Sequence, residues 1–313
     1  MGAALQLAGH EKDLGGGFTV RRLLPAARQR AVGPFVFFDH FGPVTEVPQA
    51  NHDVRPHPHI GLATVTYLFE GAMMHRDSLG TEQLIEPGAI NWMSAGRGIV
   101  HSERRPPSLQ GATFVNHGLQ LWVGLPRDKE EDAPSFTHTP AAAIPQALQA
   151  GGAQVRVLVG EGFGMRSPVE PASPTLYLDI RLPAGARLEL PPLAAEMAVY
   201  PVAGELRLDG APLPARQMAV LHPDAGVRLE AVADARLAVI GGEPLGPRHM
   251  WWNFVSSRPE RIQQAAADWE AGRFGRVPGE TEFIPLPEHR FVAPPAAAAV
   301  APPPGAGPGP QYL

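Results

Sequence analysis

The sequence predicts an all-β protein: two β-barrel domains in tandem, with one short helix near the C-terminus. Three observations carry this expectation. Gly (34) and Pro (36) are abundant in a chain of 313 residues, which suits short strands and many turns rather than long helices. Strand-like segments recur through the second half at a spacing of about ten residues, as in a sandwich or barrel. The two halves also share a weak common pattern, described below.

The bulk properties bound the rest. A chain of 313 residues exceeds one ordinary core and suits two domains of about 150 residues each. Hydrophobic residues make up 44% and charged residues 18%, a balance that packs. Lys plus Arg (26) against Asp plus Glu (31) gives −5 with no basic run, which argues against direct nucleic-acid binding. The absence of cysteine excludes disulfides, zinc–thiolate sites, iron–sulfur clusters and a Cys nucleophile. Met1 to Gly17 lacks the cationic start and apolar run of a signal peptide, and no stretch is apolar for about 18 residues. The expectation is a soluble cytoplasmic protein with no membrane partner.

In the first half, alternation marks strands at Phe18–Arg21, Ala63–Leu68 and Leu119–Val123, and the dense apolar run Phe35–Phe41 reads as a buried strand. Gly33-Pro34, Gly42-Pro43, Glu70-Gly71 and Pro87-Gly88 read as turns, as does the lone run Gly15-Gly16-Gly17. Pro126–Pro145 is polar and acidic, then rich in Ala and Pro, and reads as a connector with one short helix. The second half predicts strands at Val155–Val159, Thr175–Leu182, Ala186–Leu190, Met197–Val202, Gly204–Leu208, Gln217–Leu221, Val227–Ala231 and Ala235–Ile240. Turns at Pro183-Ala184-Gly185, Asp209-Gly210 and Asp224-Ala225-Gly226 separate them.

One helix is expected after Ser257-Arg258-Pro259-Glu260, which reads as a capping box with Pro in the first turn. Ile262, Ala265, Ala266 and Trp269 share a face, and Gly272 ends it. The Pro/Ala/Gly-rich tail is expected to be disordered. The resulting division is 1–139 for a metal-binding N-terminal domain, 140–290 for a C-terminal domain, and 291–313 for the tail.

The common pattern aligns Tyr67-Leu68-Phe69-Glu70-Gly71 with Tyr200-Pro201-Val202-Ala203-Gly204, and Gly88–Trp92 with Arg216–Val220. Counting back equally from Gly71 and Gly204 sets His57 and His59 against Leu190 and Pro192. The second copy keeps the scaffold and lacks the polar residues.

Those residues carry the chemistry. His57-Pro58-His59 is followed, 41 residues on, by His101-Ser102-Glu103. Residues two apart on a strand share a face. If the two strands pair, three imidazoles and a carboxylate converge as a set of N and O ligands with room for open positions. The competing reading is two histidines that alternate by chance, and a solvated Glu103 paired with Arg104 or Arg105. A carboxylate beside three histidines favours Fe(II), Mn, Ni, Co or Cu, whereas three histidines alone suit Zn equally. His40, His75 and His117 lie near strands and read as structural, with a role behind the ligands or against substrate as the alternative. Phe35, Phe37, Phe38 and Phe41 read as core, or as walls of an aromatic pocket. No nucleophile elbow, P-loop or dinucleotide fingerprint is present.

Several motifs in order resemble the pirin family of the cupin superfamily. They are Val32-Gly33-Pro34-Phe35-Val36-Phe37-Phe38-Asp39-His40-Phe41-Gly42-Pro43, Arg55-Pro56-His57-Pro58-His59-Ile60-Gly61, Trp92 to Glu103, Gly241-Gly242-Glu243-Pro244 and Trp251-Trp252-Asn253-Phe254-Val255. The resemblance implies a bicupin: two antiparallel jelly-roll barrels with metal in the first. It implies that His57, His59, His101 and Glu103 are the metal ligands, usually of iron. One departure is Ala63, where many relatives carry Glu four residues after the second His.

The resemblance admits two functions. The first is a dioxygenase, like the quercetin 2,3-dioxygenases among bacterial relatives, acting on a small flavonol-like aromatic. Three His and Glu103 would fill four of about six octahedral positions, leaving the others to substrate and O2. Glu103 would be the catalytic base, taking the proton of the substrate hydroxyl. The second is a non-catalytic iron protein whose redox state alters a surface that meets a protein partner. A metal-dependent isomerase or hydrolase would need a further acid or base, and none stands out.

Overall fold

The computed structural model describes residues 3–14, 17–223 and 225–293. Gly15 and Gly16 of the glycine run, Asp224 of one expected turn and residues 294–313 of the tail lie outside the described residues.

The chain folds into two β units, each a seven-stranded antiparallel sheet combined with a four-stranded one. The first large sheet has the order Ser135–Thr139, Ile90–Ser94, Leu62–Glu70, Phe114–Gly124, Phe35–Glu46, Thr19–Leu24, His10–Asp13. Its small sheet runs Val54–His59, Ile99–Arg104, Met73–Asp77, Glu82–Ile85. The second unit repeats both. Its large sheet is Ala3–Leu7, Met218–Leu221, Glu196–Ala203, Ala235–Gly242, Thr175–Leu182, Gln154–Val159, Gln146–Leu148, and its small sheet is Arg187–Leu190, Val227–Ala231, Leu206–Leu208, Ala211–Leu213. The strand orders match place for place. Leu62–Glu70, which holds Tyr67, corresponds to Glu196–Ala203, which holds Tyr200. The weak sequence duplication is a duplication of topology.

The two large sheets pack on each other, because their strands are apolar on both faces. Phe35, Phe38, Tyr67, Leu119 and Leu121 meet Tyr177, Ala198, Tyr200, Val220 and Ile240 in one buried cluster. Phe38 meets Tyr200 edge-on with ring centroids 4.8 Å apart. Polar groups cross the same interface. Asp179 accepts hydrogen bonds from Tyr67 Oη (2.7 Å) and from Arg236 Nε and Nη2 (2.8 and 2.6 Å).

The chain ends exchange units. Ala3–Leu7 pairs with Met218–Leu221 at the edge of the second large sheet. The segment after Gly242 returns to the first unit. There the helix Pro259–Glu270 buries Ile262 and Ala265 against Ile60 and Phe254. Its expected face is observed, but the capping box is not. Arg258 is the N-cap and no side chain caps the helix. The Ser257 hydroxyl donates instead to Glu130 Oε2 (3.0 Å), because a buried carboxylate is a stronger acceptor site to satisfy. Glu130 lies in the stretch read as a connector. That stretch also contains a strand, Ser135–Thr139, paired with Ile90–Ser94. Its run of Ser, Phe, Thr and His gives little apolar alternation, as befits an edge strand.

Candidate metal centre

The first unit's small sheet brings the ligand candidates together. His57 and His59 share one face of Val54–His59, which is the edge strand of that sheet. An edge is where Pro56 and Pro58, with no N–H to give, are tolerated. Ile99–Arg104 begins directly after a turn closed by Gly98 N–H donating to Ala95 O (2.8 Å). The two strands pair in antiparallel register, His101 opposite His57 and Ile99 opposite His59, with an irregularity between His101 and Glu103. The ring centroid of His101 lies 4.4 Å from that of His57 and 5.1 Å from that of His59. One nitrogen from each of His57, His59 and His101 falls within 4.8 Å of the others. Glu103 lies outside this cluster of three, two residues along the same strand, at the wall of the adjoining cavity.

Burial makes these imidazoles neutral. It pushes His57 down to about 4, and His59 and His101 well below the ordinary histidine value, with neighbouring imidazoles adding to the shift. A neutral ring carries one proton, and carbonyl acceptors fix where it sits. His57 Nδ1 donates to Arg55 O (2.9 Å) and His59 Nδ1 to Asn253 O (3.1 Å). The Nε2 lone pairs of both rings are therefore free. His59 Nε2 lies 3.1 Å from His101 Nε2. That separation is close to the roughly 3 Å expected between two adjacent nitrogens each about 2.1 Å from a shared six-coordinate ion. Neutral imidazoles with Nδ1 committed to an oxygen are the ordinary form of metal-bound histidine. The residues fit a divalent metal.

Glu103 is half-buried, and loss of water alone pushes its carboxyl up to about 7. A carboxyl at that value holds or releases a proton near neutral pH.

The site adjoins a cavity of about 880 Å3, walled by His57, His59 and Glu103, and by Phe37, Trp122 and Trp252. That volume suits a drug-sized ligand. Phe37 and Trp122 stack with centroids 4.0 Å apart and planes 12° from parallel, and the Trp122 edge meets His59 at 5.3 Å. Arg22 lies over the Phe37 ring at 4.3 Å and forms a two-point ion pair with Asp39 (2.8 and 2.7 Å). Of the four phenylalanines considered from the sequence, Phe37 and Phe41 line the cavity, whereas Phe35 and Phe38 pack between the large sheets. His101 sits behind the cavity against His75, with Nδ1 of the two rings 3.4 Å apart. His40 and His117 lie elsewhere, bonded to each other through Nε2 (2.8 Å) and, through His40 Nδ1, to Tyr200 Oη (2.7 Å).

Sequence reasoning missed Asn253 and Asp77. Nothing local marks a backbone carbonyl 194 positions from its histidine. Asp77 did have a signal: it stands two residues after His75, on the same strand face.

The second unit has no such centre among the described residues. There Leu190 pairs with Val227, and Leu190, Val227 and Leu229 belong to a buried apolar cluster.

Comparisons with known proteins agree with this architecture. The Pirin family profile matches residues 17–123, and that of the Pirin C-terminal cupin domain matches residues 177–275. A pirin-like protein of Caulobacter vibrioides is 47% identical over 281 residues, covering 88% of this chain and 96% of its own length. Mouse pirin is 35% identical, with 87% of this chain and 93% of that protein covered. A crystal structure of quercetin 2,3-dioxygenase from Acinetobacter baumannii superposes with a TM-score of 0.85 at 34% identity, covering 94% of this chain and 96% of the other. With both its units matched in order and its histidine cluster confined to the first, the chain belongs to the pirin family.

Proposed function

We propose that the protein is a metal-dependent dioxygenase that cleaves a flavonol-like aromatic such as quercetin with O2, with Fe(II) as the resident metal and the cytoplasm as its location. The observation that carries this reading is the cluster of His57, His59 and His101, two of which join Glu103, its carboxyl pushed up to about 7, in the wall of an aromatic-lined cavity. The likeness to a quercetin 2,3-dioxygenase structure supports it. The lack of cysteine accords with the location.

His57, His59 and His101 hold the ion, with Glu103 as the fourth ligand. Bound there, the metal supplies Lewis acidity and a redox-active centre for O2 chemistry. The chain's own residues do the remainder. Phe37 and Trp122 offer a stacked aromatic wall for a flat ring system. Arg22, its charge directed by Asp39, stiffens that wall from the Phe37 face. Glu103 would take the proton of an enolic hydroxyl presented beside the imidazoles. Ala63, buried and paired with Ser94 in the large sheet, supplies no carboxyl at its position.

The test is oxygen uptake with quercetin by the purified protein and its Glu103→Ala variant, with metal content measured on the same samples. Uptake that needs quercetin, follows iron occupancy and falls in the variant is the expected result. Protein full of metal that consumes no oxygen with any flavonol overturns the enzyme reading. It would leave the second reading, a metal protein that regulates a protein partner.

A further inference from the structure

We infer that the buried pair His75 and Asp77 is a positioning relay that sets the tautomer of His101, so that His101 Nε2 presents a lone pair to the metal. The inference rests on the metal reading above and assigns a role to two residues that are not themselves ligands. All three groups are out of water: His101 is 1%, His75 3% and Asp77 0% exposed.

Asp77 Oδ1 accepts the backbone N–H groups of Leu79 (2.9 Å) and Thr81 (3.1 Å). Oδ2 lies 3.1 Å from His75 Nε2. A carboxylate only accepts, so the His75 proton sits on Nε2. In the relay the other His75 nitrogen, Nδ1, offers its lone pair to His101 Nδ1, 3.4 Å away. Two acceptors compete for the single His101 proton, His75 Nδ1 at 3.4 Å and His59 Nε2 at 3.1 Å; the relay assigns it to Nδ1, which leaves Nε2 bare for the ion. Phe136 stacks on His75 with centroids 4.4 Å apart and planes 20° from parallel, which fixes the ring plane.

The strand order explains why His101 needs a side-chain relay. His57 and His59 lie on an edge strand, where His57 reaches the carbonyl of Arg55 on its own strand and His59 that of Asn253 from outside the sheet. His101 lies on a strand paired on both sides, where neighbouring carbonyls are spent on the sheet.

Asp77→Asn tests the relay without changing volume. The two backbone N–H donors hold the amide oxygen in the place of Oδ1, so the NH2 group faces His75 Nε2. His75 must then accept there and carry its proton on Nδ1. His101 must accept at Nδ1 and carry its proton on Nε2, where the metal binds. Cobalt(II), titrated by its visible absorbance into the full-length protein, is expected to bind the variant about 10- to 100-fold more weakly than the parent. The melting temperature of the metal-free protein should be nearly unchanged. Two-bond 1H–15N spectra of metal-free, 15N-histidine-labelled protein should show His101 protonated at Nδ1 in the parent and at Nε2 in the variant. Parent-like cobalt affinity in Asp77→Asn, or a parent His101 protonated at Nε2, overturns the relay. A parent that binds no cobalt refutes the metal reading, and the tautomer spectra still decide the relay. Should the variant not fold, the parent spectrum alone decides it.

Discussion

His59 is oriented by Asn253: its Nδ1 donates to the Asn253 carbonyl at 3.1 Å across 194 positions of chain. The histidine belongs to the first unit, and the group that aims it arrives only after the chain has built the second. Asn253 follows Trp252, which takes a positive φ of 53°, and precedes Phe254, which bridges Ile60 in parallel. This short return holds the metal site together from outside its own sheets.

Gly61→Ala should break that arrangement. Gly61 has φ +67°, and a Cβ there would collide with the Val255 carbonyl. We expect a loss of more than about 1 kcal/mol of stability, because the new residue cannot adopt the native backbone without strain. We also expect weaker metal binding, since Phe254–Ser256 moves and carries Asn253 with it. Urea unfolding and cobalt titration check both. A variant with parental metal affinity would show that the Asn253 contact is dispensable.

Removing a ligand and removing the base should separate. His59→Ala takes one of three clustered nitrogens and should leave purified protein without metal and without turnover. Glu103→Ala leaves the three-nitrogen cluster intact and should weaken metal binding only about 10-fold. Its turnover on quercetin should fall by about 100-fold or more, the usual contribution of a positioned base. Metal analysis beside oxygen uptake makes the comparison. Equal metal loss in the two variants would contradict it.

Acid should destabilise the metal-free protein, beginning well above the range where carboxylates titrate. Burial lowers His40 to about 3 and His57 to about 4. The unfolded chain takes up these protons near pH 6.5, and the folded chain does so only near pH 3 to 4. Stability from these groups is thus present above about pH 6.5 and lost as pH falls toward their folded values. Each of the two contributes a slope of about 1.4 kcal/mol per pH unit in that window. Urea midpoints measured at pH 7.5, 6 and 5 should therefore fall. A flat profile would mean that the imidazoles are not held neutral.

The contact between units should be equally sensitive. Asp179 is 3% exposed and receives three hydrogen bonds, one from Tyr67 and two from Arg236. Asp179→Ala leaves the Arg236 cation facing an apolar interface and should cost about 3–5 kcal/mol. A cost below about 1 kcal/mol by urea unfolding would show that Arg236 finds water instead.

Local chemistry in the sequence determined a good deal of this protein. Period-two spacing placed His57 with His59 on one face, and apolar runs marked Thr175–Leu182 and Val227–Ala231 at their observed bounds. Counting back from Gly71 and Gly204 set His57 against Leu190, which lies in a buried apolar cluster. The tertiary structure decided whatever depends on groups far apart. Ser257 looked like a helix cap until a buried carboxylate from Glu130 claimed its hydroxyl. Ser135–Thr139 needed Ile90–Ser94 beside it to become a strand. The tautomers of His57 and His59 follow from the carbonyls of Arg55 and Asn253, and only the folded chain brings Asn253 to the site. A sequence specifies which groups can donate, accept or avoid water. Which of them meet is settled when burial leaves each polar group one available partner.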